Sequence, residues 1–155
     1  MAAINDVAAY ILQKRGPMSA MKLQKLCYYA YGYHLAWEER PLFPERFEAW
    51  ANGPVSPLLY RRHRGRFQLA AGDISGEPAA LDEGERESVE LVLDGLGEFD
   101  AHQLSAMTHR EGPWVSARNR ARVGPMERSS EELTDEEIGE YFDALTAADA
   151  HGQEG

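Results

Sequence analysis

Apolar residues recur along the N-terminal third of the chain with the spacing of helices. Ile4, Val7, Ala8, Ile11 and Leu12 fall at steps of three and four, and Gly16-Pro17 ends that run. Ser19 is placed to cap a second helix, whose stripe reads Leu23, Leu26, Cys27, Ala30, His34 and Trp37, with Lys22 and Lys25 on its solvated side. This second helix is expected to be central. Tyr28, Tyr29, Tyr31 and Tyr33 crowd the same segment, and one stripe cannot bury them all, so some are expected on other interfaces or at the surface. That crowding hints at a binding surface.

The pattern then changes period. Arg40-Pro41-Leu42-Phe43-Pro44 cannot be helical, and Phe47-Glu48-Ala49-Trp50 alternates like a strand before Asn52-Gly53-Pro54 turns the chain, which predicts one small hairpin. Ser56-Pro57 reads as a cap and first helical position for a short helix carrying Leu58, Leu59 and Tyr60 to about Gly65. Residues 66–81, rich in glycine, read as a loop. Asp82 with Glu85, Asp100 with Gln103, and Thr134 with Glu137 are capping-box pairs that predict three further helices. The first carries Val89, Val92, Leu93 and Leu96 and ends at Gly97; the second carries Leu104, Met107 and Thr108; the last carries Ile138, Tyr141, Phe142 and Leu145. Gly112-Pro113 is expected to break the chain ahead of a short helix from Trp114 to Ala121, and residues 149–155 are expected to form a disordered tail. The fold class predicted is mainly α, a compact multi-helix single domain with a small β-hairpin element.

At 155 residues, with 43% hydrophobic and 10% aromatic content, the chain is sized for one domain with a continuous core. No segment reaches the roughly 18 consecutive apolar residues of a membrane span, and the lone Cys27 permits no intrachain disulfide, so a soluble cytoplasmic protein without membrane association is expected. The net charge of -10 is unevenly distributed. Residues 1–70 hold 10 Lys+Arg against 5 Asp+Glu, whereas the rest hold 6 against 21. Two readings follow: the halves pair internally, or the acidic half faces a basic partner. The basic runs Arg61-Arg62-His63-Arg64-Gly65-Arg66 and Arg118, Arg120, Arg122, Arg128 are assigned to internal pairing, since an acidic chain without a recognisable DNA-reading module is repelled by nucleic acid. No nucleic-acid partner is expected.

Catalytic chemistry has little to stand on. His102, His109 and Glu111 are the nearest approach to a metal or acid/base set, but no HxxxH, HExxH or CxxC spacing accompanies them. His34 lies on an apolar stripe, where a hydrogen-bonded structural imidazole is expected. Cys27 is expected to be buried, which makes its thiolate costly. No phosphate-cradling or dinucleotide motif is present, so no cofactor and no metal are expected and the chain does not read as an enzyme. Two segments resist a purely structural account. Residues 48–60 pack Trp50, Asn52, Gly53, Pro54 and Tyr60 around a bend, and Thr108-His109-Arg110-Glu111-Gly112-Pro113-Trp114 is a second proline-fixed bend. Each has the composition of a rigid docking hot spot, and each equally fits a bend that only closes the core.

Taken together, Lys22 to Ala30, Tyr33-His34-Leu35-Ala36, Arg40-Pro41-Leu42-Phe43, Phe47-Glu48-Ala49-Trp50, Gly53-Pro54-Val55 through Leu59-Tyr60-Arg61, and Thr108-His109 through Pro113-Trp114 resemble the Panacea domain. That family includes SocA-like antitoxins and phage-associated GepA-like proteins of phage defence. The resemblance covers roughly residues 4–145 and places the domain at 1–148. It implies an antitoxin that binds and suppresses a cognate protein toxin encoded nearby. In the SocA branch it also implies an adaptor that hands the toxin to a Clp-type protease. Some relatives add a DNA-binding helix-turn-helix; this chain begins almost at the first helix, which argues against promoter autoregulation. Ser56 stands where an apolar residue is common in the family and reads as a helix cap. The toxin-binding residues expected are Tyr29, Tyr33, Trp50, Asn52, Gly53, Pro54, Tyr60, Thr108, His109, Glu111 and Trp114.

Overall fold

The computed structural model describes residues 1–154, and side chains through residue 148. All of the helices but the one at Gly112–Ala121 start where a local polar side chain takes up free backbone N–H groups. Asp6 folds back to accept the Ala3 N–H at 2.9 Å at the head of α1 (Ile4–Arg15), and Gly16, at φ 77°, closes that helix. Ser19 Oγ accepts the Lys22 N–H at 3.1 Å and opens α2 (Ala20–Glu38). Ser56 does the same for α3 (Pro57–His63), Asp82 for α4 (Glu83–Leu96) and Asp100 for α5 (Ala101–Thr108). Reciprocal bonds with Glu85 and Gln103 complete two capping boxes. Helix α6 (Gly112–Ala121) follows, and Thr134 Oγ1 accepts the Glu137 N–H to start α7 (Asp135–Glu154). Gly112-Pro113 therefore begins a helix where the sequence predicted a break, because proline is preset for a first helical turn. The tail expected at 149–155 falls on positions whose side chains lie outside the described residues.

Two small antiparallel pairs complete the fold. Strands β2 (Glu48–Trp50) and β3 (Gly53–Val55) form the predicted hairpin, in the register Glu48 to Val55 and Trp50 to Gly53. The outer side of β2 is also occupied: Ala49 N–H donates to the Glu131 carbonyl at 2.8 Å, and Leu133 N–H to the Phe47 carbonyl at 2.9 Å. Strand β1 (Met18–Ser19) pairs with β4 (Gln68–Leu69). The stretch 66–81 thus contains a strand and a 3-10 turn at Pro78–Ala80, where the sequence suggested a plain loop.

Helix α2 runs through the middle of the molecule, packed mainly on α4 and α7 and also on α1, α3, α5 and β3. All residues from Leu23 to Gly32 are buried, nearly three turns without an exposed face. Tyr28, Tyr29 and Tyr31 are accordingly all in the core, each edge-on or tilted against Phe43, Phe47 or Phe142. Only Tyr33 is half-buried, stacked on Trp37 at 5.0 Å. The tyrosines are thus spread over several interfaces of α2, as expected, and two other expectations are corrected: Lys25 is 1% exposed where the solvated side was expected, and Trp37, assigned to the buried stripe, is 42% exposed.

Internal pairing joins the oppositely charged halves: Lys14 meets Glu90, Arg15 meets Asp94, Arg40 meets Asp82 and Glu85, and Arg46 meets Asp135. His34 bonds Ser88 through Nδ1 at 2.8 Å, a structural role as expected, and Cys27 is buried with its thiol pushed far up by desolvation. Among the described residues no helix is long and apolar enough to cross a membrane.

The close approach of α2 and α7 is set at Gly32, where an added Cβ would lie 2.2 Å from the Phe142 ring. Gly32→Ala is expected to cost about 1–3 kcal/mol through overpacking. Gly95→Ala, where the space is open on α4, is expected to stabilise by about 0.5–1 kcal/mol. Urea unfolding of the two variants against wild type measures both, and a neutral Gly32→Ala would refute this packing.

Candidate functional site

The two bends singled out in the sequence meet. At the hairpin tip four successive carbonyls each accept a side-chain hydrogen bond from α5, α6 or the bend between them. Ala49 O accepts from Arg118 Nη1 at 3.0 Å, Trp50 O from Trp114 Nε1 at 2.8 Å and Asn52 O from Ser105 Oγ at 2.6 Å. Ala51 O lies 2.8 Å from His109 Nε2, and because a carbonyl can only accept, that nitrogen carries the proton. The donors come in two steps of four: Ser105 and His109, in α5 and just after it, hold the turn residues Asn52 and Ala51, and Trp114 and Arg118 of α6 hold Trp50 and Ala49 of β2. The His109 ring also sits edge-on to Trp114 at 4.2 Å, and the Arg118 guanidinium lies over the Trp114 ring. Together these bonds fix the tip of the hairpin from the side of α5 and α6.

Behind the tip lie two costly groups. Gly53, at φ 115°, leaves room for Lys25: a Cβ there would stand 2.7 Å from both Lys25 Cε and Thr108 Oγ1. The Lys25 ammonium is fully enclosed, has no hydrogen-bond partner in the structure and is lowered by desolvation from 10.5 to about 7. Glu111 sits at the head of α6, yet its carboxyl turns inward and accepts the Tyr29 phenol at 2.7 Å. Burial raises it from 4.5 to about 7, against the opposing pull of Tyr29, Tyr141 and Arg110. Gln24 accepts the Ser56 N–H at 2.8 Å and its amide meets His63 Nε2 at 3.1 Å, which pins α3 to α2.

The outer face of the hairpin is open. A groove of about 580 Å³ is lined by Met21, Glu48, Trp50, Asn52, Tyr60, Arg128 and Ser129 among others. Trp50 and Tyr60 meet edge-to-face at 4.9 Å, and the Trp50 indole N–H donates to Glu48 at 2.8 Å.

The expected docking residues therefore divide into two groups. Trp50, Asn52 and Tyr60 line the groove. Tyr29, Gly53, Pro54, Thr108, Glu111 and Trp114 are buried and His109 is half-buried; of these, His109 and Trp114 hold the hairpin from within, while Tyr33 lies with Trp37 on another part of α2. Met21 and Ser129 were not singled out in the sequence, and nothing in their local pattern marks them. The Ser105–His109 and Trp114–Arg118 spacing did carry a readable signal. His102 is exposed on α5, His109 is committed to Ala51 and Glu111 to Tyr29, so the three do not converge. Among the described residues there is no cluster of three or more metal-ligating side chains.

Residues 23–115, from α2 to the first turn of α6, match the family model described as antitoxin SocA-like, Panacea domain. The chain is also 37% identical over 111 residues to the protein named Antitoxin SocA from Caulobacter vibrioides (strain NA1000 / CB15N), across 63% of this chain and 58% of that protein. It thus spans well under two thirds of that relative's length. No solved structure matches the chain.

The two buried ionisable groups give a definite pH signature. Glu111, raised in the folded state, contributes stability that is full below 4.5 and is lost as pH rises toward about 7. Lys25, lowered in the folded state, contributes stability that is full above 10.5 and is lost as pH falls toward about 7. Their summed contribution has its minimum near neutrality. Glu111→Gln is expected to flatten the acid limb of the stability curve and Lys25→Met the alkaline limb, each read from urea midpoints across pH. Unchanged limbs in both variants would refute the assignment.

Proposed function

The chain belongs to the SocA-like Panacea domain family, and from that premise we propose that it is the antitoxin of a toxin–antitoxin pair, neutralising a protein toxin encoded nearby by binding it directly. The observation that carries the docking site is the groove over the hairpin. Its aromatic wall of Trp50 and Tyr60 is half-buried and rigidly backed, because the strand beneath is held by four side-chain hydrogen bonds. A pre-organised aromatic surface loses little conformational freedom on binding, which is the property of an interface anchor. The reading assigns no chemical step to the chain. His109, Glu111 and Trp114 act in it as supports of the surface, not as contacts with the toxin.

A second reading within the same binding scheme is that capture leads to degradation, with the chain acting as an adaptor for a Clp-type protease. The lifetime of the toxin in cells with and without the chain separates the two: a shortened lifetime marks an adaptor, an unchanged one a blocker.

Co-expression with the neighbouring reading frame tests the proposal. The neighbour is expected to arrest growth alone, and the chain to restore growth and co-purify with it. Trp50→Ala and Tyr60→Ala are expected to stay folded by circular dichroism while weakening the complex by about 2 kcal/mol or more. Trp114→Ala is expected instead to destabilise the fold by about 3–5 kcal/mol. A harmless neighbour that does not co-purify would overturn the antitoxin reading, and full neutralisation by both groove variants would move the interface elsewhere.

A further inference from the structure

The arginines beside the groove are not used inside the protein. Lys14, Arg15, Arg40, Arg46, Arg66 and Arg120 are all in ion pairs, and Lys22, Arg86 and Arg118 donate to backbone carbonyls. Arg61, Arg62 and Arg64 on and just after α3, and Arg128 in the groove lining, are exposed and in no ion pair among the described residues, as are Arg110 and Arg122. The sequence assigned the run Arg61 to Arg66 to the acidic half of the chain, and the structure pairs only Arg66 of it, with Asp73. In a chain of net charge -10, with acidic side chains in large excess, such a cluster is a local inversion of the field.

Two strongly exposed apolar side chains lie close in the chain to groove-lining residues. Phe67 and Met126, at 77% and 80%, are the two most exposed large apolar side chains away from the first residue. Phe67 is tied through its carbonyl to the Ala20 N–H at 2.8 Å, next to the groove-lining Met21, and Met126 shortly precedes Arg128. The groove thus joins the aromatic pair Trp50 and Tyr60 to Arg128, and Arg61, Arg62 and Arg64 follow its Tyr60 directly in the chain.

We propose, resting on the antitoxin reading, that this groove takes an extended acidic segment of the partner protein. A large apolar side chain of that segment enters between Trp50 and Met21, and flanking carboxylates pair with Arg61, Arg62, Arg64 and Arg128. Planar guanidinium groups suit carboxylates, which they bind in bidentate fashion. The Glu48 carboxylate, held inside the groove by Trp50, keeps anions off the groove floor and admits the apolar residue there, which places the acidic groups on the arginine side. The same carboxylate and the overall negative charge disfavour a nucleic-acid backbone, whose phosphates are densely and evenly spaced.

The test is a selection of peptides from a random displayed library on the full chain, with a duplex DNA oligonucleotide measured in parallel. Enriched peptides are expected to join Asp or Glu to a large apolar residue. Their affinity is expected to fall at least about tenfold in the R61E/R62E/R64E variant and again at raised salt. Enrichment of basic or uncharged peptides, no enrichment at all, affinity indifferent to the charge reversal, or tighter binding of the DNA would each overturn the proposal. In the co-expression assay the same folded variant is expected to lose neutralisation. If it neutralises like wild type, this inference fails and the antitoxin reading stands; if wild type neutralises nothing, the antitoxin reading fails and the peptide result alone decides this one.

Discussion

A helix whose every face is buried must be covered on every side, and α2 imposes that condition on the whole chain. Covering Leu23 to Gly32 takes α4 and α7 on two flanks, α1, α3 and α5 on the others, and β3 across the remaining gap. The order of elements follows: no terminal helix can leave without opening apolar surface on α2, since α1 and α7 are both part of its cover. Large aromatics contribute to that cover, with Tyr28, Tyr29, Tyr31, Phe43, Phe47 and Phe142 packed in edge-on or tilted contacts around the same turns.

The hairpin is the one part of that cover that a helix could not provide. Its strands are three residues long, too short to be stable alone. Side chains from α5, α6 and their bend take up its tip carbonyls, and residues 131–133 close the other edge. The result is a short strand as fixed as a long one. Its inner side is spent on the core, which leaves the outer side, with Trp50 and Tyr60, as rigid surface.

Local structure was legible in the sequence wherever the deciding groups were near neighbours. Ser19, Ser56, Asp82, Asp100 and Thr134 each cap a helix within three residues, and Asn52-Gly53-Pro54 marks the hairpin turn. What the sequence could not disclose was set across the chain. The donors to the hairpin carbonyls lie 53 to 69 residues away from them. The burial of Lys25 was missed because a stripe assumes a helix with one solvated side, and α2 has none. The docking segments were found but not separated: the composition of residues 48–60 and 108–114 is the same whether a residue props the hairpin or faces out from it. Only the pairing of Trp114 with the Trp50 carbonyl tells the prop from the wall.

The placement of Lys25 and Glu111 bears on why the surface is built here. Each buries a group that water would ionise, Lys25 against Gly53 under the turn and Glu111 at the bend that carries His109. Both oppose folding near neutrality, and an apolar residue of similar size at position 25 would remove the penalty. The cost falls on the region that the carbonyl bonds hold most firmly. A buried Lys25 also rejects alternative packings of the turn: any residue with a Cβ at position 53 collides with its side chain, and any looser seating admits water to the ammonium. The hairpin thus has one geometry available to it, with the aromatic pair on its outer side held where a partner would meet it.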